Sequence, residues 1–271
     1  LTLLGIGAIV GAGIFSTVGT AAAGGPHLLG AGPALVISFV MVAIACGFAA
    51  LCYAEFAAMV PVAGSAYTYA YATLGELVAW LIGWDLILEY AVSNAAVAIS
   101  WSGYFQELLR GLGWDLPAWL GTDYRTALQA AAEVARATAG GIEVTTLAAS
   151  LLRNAGAVAA APHVLGVPII FNLPAFGIVA VVTWIALIGI RETARANTVL
   201  AVSKLVIIGF FLVVGAFYFN PSNWADFAPN GFAGVSAAAA IIFFAYIGFD
   251  AVSTASEEAR NPQRDMPIGI L

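Results

Sequence analysis

Charge is what this chain has least of. Of its 271 residues only 9% are Asp, Glu, Lys or Arg, where a soluble domain carries about 25%. A soluble globular domain is excluded on that ground, and a net charge of −6 does not set orientation in a membrane. No run of Lys or Arg forms a basic patch, so nucleic acid is not an expected partner. Histidine is reduced to His27 and His163, both outside the apolar stretches, which argues against an intramembrane metalloprotease or a haem protein. No glycine-rich phosphate loop is present, so no ATP motor is encoded here. The two cysteines, Cys46 and Cys52, share one apolar stretch. Six residues apart, they sit about 240° from each other around a helix. They cannot pair within it and read as two buried thiols. No metal and no cofactor is expected.

What the chain has in abundance is apolar length. It is 62% hydrophobic with a mean hydropathy of +0.97, and a membrane span needs about 20 such residues. Six spans are expected, at about 1–23, 35–60, 77–105, 176–190, 198–219 and 235–256. Leu1 opens directly in apolar sequence and residues 268–271 read as the start of another span, so a fragment is expected. Two short connectors, 191–197 and 257–265, carry two Arg each and fall on one side of six alternating crossings. That side is expected to be cytoplasmic, with the lipid bilayer as the surrounding medium. The stretch 106–173 then forms an outer loop, with an alanine-rich helix over 126–138 acting as a lid or spacer. The link 61–76 holds Tyr67, Tyr69 and Tyr71 and reads as an interfacial segment with aromatic anchors.

Two of the six spans are broken by glycine. The first contains Gly7-Ala8-Ile9-Val10-Gly11-Ala12-Gly13-Ile14-Phe15, the sixth Phe243-Phe244-Ala245-Tyr246-Ile247-Gly248-Phe249-Asp250. Each glycine lowers helix propensity by about 1 kcal/mol relative to Ala. Backbone left unpaired at membrane depth survives only where it lines a cavity. The half-helix after the first break offers N–H groups and a positive dipole end to an anion such as an amino acid carboxylate. A carbonyl freed before it, such as that of Ile9, suits an ammonium group. The competing reading of Gly7-x-x-x-Gly11 is a small-residue packing face. In the sixth span Phe244, Ala245 and Ile247 would supply free carbonyls, and Asp250 is placed to cap the following half-helix or to take part in coupling. The two breaks lie in spans of opposite direction, as an inverted repeat requires.

Ionisable residues inside spans are costly and read as functional. Lys204 lies about 10 Å along the fifth span from Asn197. Its ammonium substitutes for a coupling cation or relays a proton, or else it snorkels to the interface. Asp85 and Glu89 lie at i, i+4 on the third span. Glu89 is mid-span and pairs with Lys204 or faces a cationic substrate side chain. Asp85 is solvated, and Glu55, near the end of the second span, is structural.

These motifs resemble the amino acid–polyamine–organocation superfamily, in its cationic amino acid transporter branch. The likeness rests on residues 7–15 and on Gly32-Pro33-Ala34 through Cys52-Tyr53-Ala54-Glu55-Phe56 to Tyr67-Thr68-Tyr69. It rests also on Leu88-Glu89-Tyr90, on Trp101-Ser102-Gly103-Tyr104-Phe105 and on 243–262. It covers almost the whole chain except 113–168. The resemblance implies an all-α integral membrane protein with a broken-helix, five-plus-five inverted repeat, of which this chain holds the first repeat and the opening helix of the second. It implies substrate contacts from Ile9, Gly11, Ala12 and Gly13 and from Phe244, Ala245 and Ile247. In proton-coupled relatives a lysine matching Lys204 occupies the place of a sodium ion. Relatives often carry Thr or Ser where this chain has Ala12, which leaves the carboxylate to backbone N–H groups.

The expected function is secondary amino acid transport by alternating access, coupled to protons, and not enzymatic catalysis. An exchanger of the same fold is the alternative. A channel lacks a ring of polar residues to line it, and a sensor or scaffold would leave Lys204 and both breaks without a purpose.

Overall fold

A computed structural model describes residues 2–25, 28–141, 144, 147–188 and 190–271, without the side chains of 190–195 and 258. His27 and the side chains of the connector arginines Arg191 and Arg195 lie outside the described residues. The chain divides into two units, one of 1–92 with 188–271 and one of 93–187.

In the first unit the opening apolar stretch is split. Helix α1 (Thr2–Ile9) stops at Val10 and Gly11, α2 (Ala12–Phe15) follows, and α3 (Thr17–Ala23) leaves at 46° to them. Pro33 lies in a short 3-10 turn that opens the way into α4 (Leu35–Met59), as its fixed φ suits a first helical turn. Pro61 stands two residues beyond its end. Helix α5 (Ser65–Leu74) follows Gly64, at φ +145°, and ends on Gly75, at φ +90°, a left-handed value that glycine adopts without a Cβ penalty. Helix α6 (Glu76–Gly111) has 36 residues, about 54 Å at 1.5 Å per residue. That exceeds a hydrocarbon core of about 30 Å, and the helix continues past residue 92 into the second unit.

The core of this unit runs along α4. Its buried residues Ser38, Val42, Cys46, Ala50, Ala54 and Ala57 recur every three or four positions, a single ridge of mostly small side chains that lets neighbouring backbones approach. Against this ridge pack α12 (Gly231–Ile242) and α13 (Pro262–Ile270), while α1 packs on α11 (Ile190–Ala216). Ile242 and Met266 are fully buried there. Phe249 joins the cluster around Val42 and Ile242 to that around Val252 and Met266.

In the second unit α6 ends at Gly111, followed by α7 (Ala118–Gly121), α8 (Tyr124–Ala139) and α9 (Ala149–Ala160). Buried Ala127, Ala130 and Ala157 let α8 and α9 pack closely. Two short strands, β1 (His163–Val164) and β2 (Val167–Pro168), turn at Leu165 and Gly166, and α10 (Leu173–Ile188) follows. Asn172 Oδ1 caps α10, accepting from Ala175 N at 3.1 Å and from Ser102 Oγ at 2.6 Å.

Among the described residues four helices are long and apolar enough to cross a membrane, five when the bent opening pair is taken as one span; α10, with 16 residues, is shorter. Three expectations are revised. The expected connector 191–197 is helical backbone inside α11. The stretch 106–173 is itself largely helical, and α9 within it was not expected. Tyr69 is buried, stacked on Phe56 at 5.2 Å, and is not an interfacial anchor like exposed Tyr67 and Tyr71. Of the two cysteines Cys46 is buried but Cys52 is exposed, because their 240° offset lets only one face the ridge's neighbours.

Candidate functional site

The first break frees backbone groups on both sides. Gly11 N–H donates to Ile9 O at 2.9 Å, an irregular bond that ends the helical ladder and takes up the Ile9 carbonyl that was expected to be free. The N–H groups of Ala12 and Gly13 donate to no group among the described residues, while Gly11 O accepts from Ile14 N at 3.0 Å and from Phe15 N at 3.2 Å. Two donors therefore stand open at the start of α2.

The second break lies after α12. Residues Phe243–Ala245 tighten into a 3-10 turn, and a second 3-10 segment spans Asp250–Glu258. Gly248 between them has φ +123°. The carbonyls of Phe243, Gly248 and Phe249 accept backbone bonds; those of Phe244, Ala245 and Ile247 accept none among the described residues. Tyr246 O, between them, likewise accepts none among the described residues, so the open stretch is longer than the three carbonyls expected.

The two breaks touch. A Cβ on Gly13 would stand 2.2 Å from Ala245 Cα, and one on Gly248 would stand 2.9 Å from Ala8 Cβ. Glycine is required at both positions by this backbone-to-backbone approach. Open donors from one break and open acceptors from the other are brought together, which suits a ligand bearing an anionic and a cationic group.

Lys204 reaches the same region. Lys204, half-buried on α11, donates from Nζ to Gly7 O at 2.9 Å. In an unbroken helix that carbonyl would accept from Gly11 N–H, which has turned to Ile9. The ammonium therefore occupies a vacancy that the break creates. Asn197, Ala201 and Lys204 share one face of α11 at i, i+4, i+7. A Cβ on Gly7 would meet Asn197 Oδ1 at 2.9 Å and Ala201 Cβ at 3.4 Å. Both readings of the Gly7-x-x-x-Gly11 motif hold together: Gly7 is a packing glycine and Gly11 opens the helix.

The whole of the chain, residues 1–271, matches the family profile of the amino acid permeases. The chain belongs to the amino acid permease family. It is 48% identical to the branched-chain amino acid permease BcaP of Bacillus subtilis and 46% identical to the methylthioribose transporter of the same organism. Each alignment covers 100% of this chain and 49% of that protein. It is 34% identical to the chloroplastic cationic amino acid transporter 9 of Arabidopsis thaliana, across 100% of this chain and 41% of the relative. The chain thus spans about half the length of these bacterial relatives. Membership makes it part of a multi-pass membrane permease with an all-α transporter fold, and not an enzyme.

Other polar residues of the permease depart from expectation. Asp250 does not cap the half-helix; the N-cap position is Phe249, without a side-chain bond. Asp250 is 6% exposed and its Oδ2 accepts from Tyr90 Oη at 2.8 Å and from Ser65 Oγ at 3.5 Å. Lying inside the first turn and buried, the carboxylate takes donors from α6 and α5 instead of from its own backbone. Glu89 does not pair with Lys204, and the ion pair found among the described residues is Arg110–Glu107 at 2.6 Å. Asp85 and Glu55 are exposed. Sequence reasoning missed Tyr90 and Ser65; the signal was Asp250 itself, since an acid within a span calls for a donor partner.

Proposed function

We propose that this chain forms part of a secondary amino acid transporter that works by alternating access and is coupled to protons. One observation carries the reading: the open N–H groups of Ala12 and Gly13 stand beside the open carbonyls of Phe244, Ala245 and Ile247, with Gly13 against Ala245. The substrate carboxylate docks on the donors, aided by the dipole of the half-helix, and the ammonium docks on the acceptors, with Ile9 and Gly11 shaping the near wall. Bridging two breaks draws their half-helices together, so substrate favours a closed state through its differential affinity. The remaining helices of a five-plus-five repeat complete the pocket and set its selectivity. Lys204 serves as the coupling cation, its charge sitting where the first break leaves Gly7 O unpaired. The relatives named for branched-chain and cationic amino acids support the amino acid as substrate.

A second reading is favoured by the 46% identical methylthioribose transporter. A thiosugar carries neither carboxylate nor ammonium, and its hydroxyls would bond to the same open backbone groups.

Competition of labelled L-leucine uptake separates the two. Unlabelled leucine should compete fully and L-leucinamide, which lacks the carboxylate, at least about tenfold more weakly. Equal competition by the amide removes carboxylate docking, and stronger competition by methylthioribose moves the assignment to the sugar.

A further inference from the structure

The second unit holds a polar cavity of about 230 Å³ between the far end of α6, the end of α7 and the helices α8 and α9. That is room for a small polar solute. None of its lining residues belongs to the paired breaks.

Its wall is prearranged. Gln106 Nε2 donates to Ser102 Oγ at 3.0 Å and to Gly121 O at 2.8 Å, and Ser102, fully buried, donates in turn to Asn172. Arg110 lines the cavity with its charge taken by Glu107 at 2.6 Å. Arg153, on α9, also lines the cavity and is half-buried. It makes no ion pair and no hydrogen bond among the described residues. A half-buried guanidinium with a planar fork of donors, facing a polar hollow, is suited to a carboxylate. Opposite charge is at hand: Asp123 and Glu107 line the same cavity, Glu107 beside Arg110 and Asp123 at the start of α8, where it accepts from Thr126 N at 2.9 Å.

We propose that this cavity is a second binding site for a small zwitterionic amino acid, with Arg153 holding its carboxylate and Asp123 facing its ammonium. Two cations and two anions around a hollow of this size match a zwitterion better than a simple anion, which would meet two carboxylates, or a simple cation, which would meet two guanidinium groups.

The test is equilibrium binding of radiolabelled L-serine to the complete, detergent-purified protein. Gly13→Val, which closes the paired breaks, should leave serine binding at one site, and adding Arg153→Ala should weaken that binding about tenfold or more. Arg153→Lys, which keeps the charge but not the fork, should fall between. In wild type, serine should slow hydrogen exchange in 121–127 and 150–157, a readout that needs no variant to fold. No serine binding in Gly13→Val together with no protection of those segments overturns the proposal. Failure of the transport reading would look different: Gly13→Val would then bind as wild type does, and Arg153→Ala alone would remove the binding.

Discussion

The Lys204 ammonium donates to the Gly7 carbonyl at 2.9 Å, across 197 positions of sequence. The bond exists because the first helix is broken: Gly11 N–H has turned to Ile9 O and left Gly7 O without its helical donor. A cation on α11 is thereby tied to the backbone of the segment proposed to hold substrate. Any change in the charge or hydration of Lys204 acts on the break directly.

Lys204→Met keeps the apolar stem and removes the donor. Gly7 O is then unpaired, at a cost of about 1–3 kcal/mol. Thermal unfolding of the purified protein should show a lowered midpoint, and an unchanged midpoint would mean that water replaces the lysine at no cost.

Gly13→Val should leave insertion intact and stop uptake. Its Cβ would lie 2.2 Å from Ala245 Cα, and both are backbone neighbours that cannot rotate away. Overpacking of this kind costs about 1–3 kcal/mol, about five- to 150-fold in occupancy of the closed state. Normal uptake by a correctly inserted variant would sink the site assignment.

Tyr90→Phe removes the 2.8 Å donor to buried Asp250. Ser65 Oγ remains at 3.5 Å, too long to compensate. The expected loss is about 1–3 kcal/mol, and the double variant Tyr90→Phe/Asp250→Asn should recover part of it, since a neutral amide is cheaper to leave there. Additive losses in that cycle contradict a direct Tyr90–Asp250 interaction.

Glu89→Gln tests whether Glu89 faces a substrate side chain, an assignment that its lack of a pair with Lys204 leaves open. Arginine and lysine should then compete about tenfold less well against labelled leucine, with leucine affinity unchanged. An equal change for all three places Glu89 in the scaffold.

Asp123 caps α8 through Thr126 N at 2.9 Å. Burial raises its carboxyl, but hydrogen bonds from the Thr126 side chain and backbone outweigh this and hold it below the usual carboxylate range. Because the folded value is depressed, the stabilisation is present above the unfolded pKa and lost as pH falls through the folded one. Hydrogen exchange in 124–139 should quicken as the carboxyl protonates. Asp123→Ala should show the fast rate at neutral pH, for a cap worth about 0.5–2 kcal/mol.

The breaks were legible because glycine placement is a local signal, but that signal did not show that Tyr246 O stands open as well. Lys204 was legible for its cost in an apolar helix, but its partner was not, since Gly7 O accepts only because of a distant backbone turn. Tyr90 and Asp250 stand 160 positions apart, and no spacing rule joins them. Tyr67, Tyr69 and Tyr71 alternate along the chain, but in α5 two residues turn about 200°. Tyr67 and Tyr71 therefore share a face with ring centroids at 6.3 Å, while Tyr69 turns inward. In 106–173 the alanine-rich run showed α8, whereas Ser150, Asn154 and Gly156 hid α9.

The central claim is that Lys204 couples a proton gradient to amino acid movement through the first break. Radiolabelled amino acid uptake into proteoliposomes holding the complete transporter, with and without an inward proton gradient, tests it in wild type and Lys204→Ala. The account predicts gradient-driven uptake in wild type that becomes insensitive to pH in the variant. Uptake indifferent to the gradient in both, and dependent on amino acid inside the vesicles, would contradict it and establish an exchanger in which Lys204 is structural.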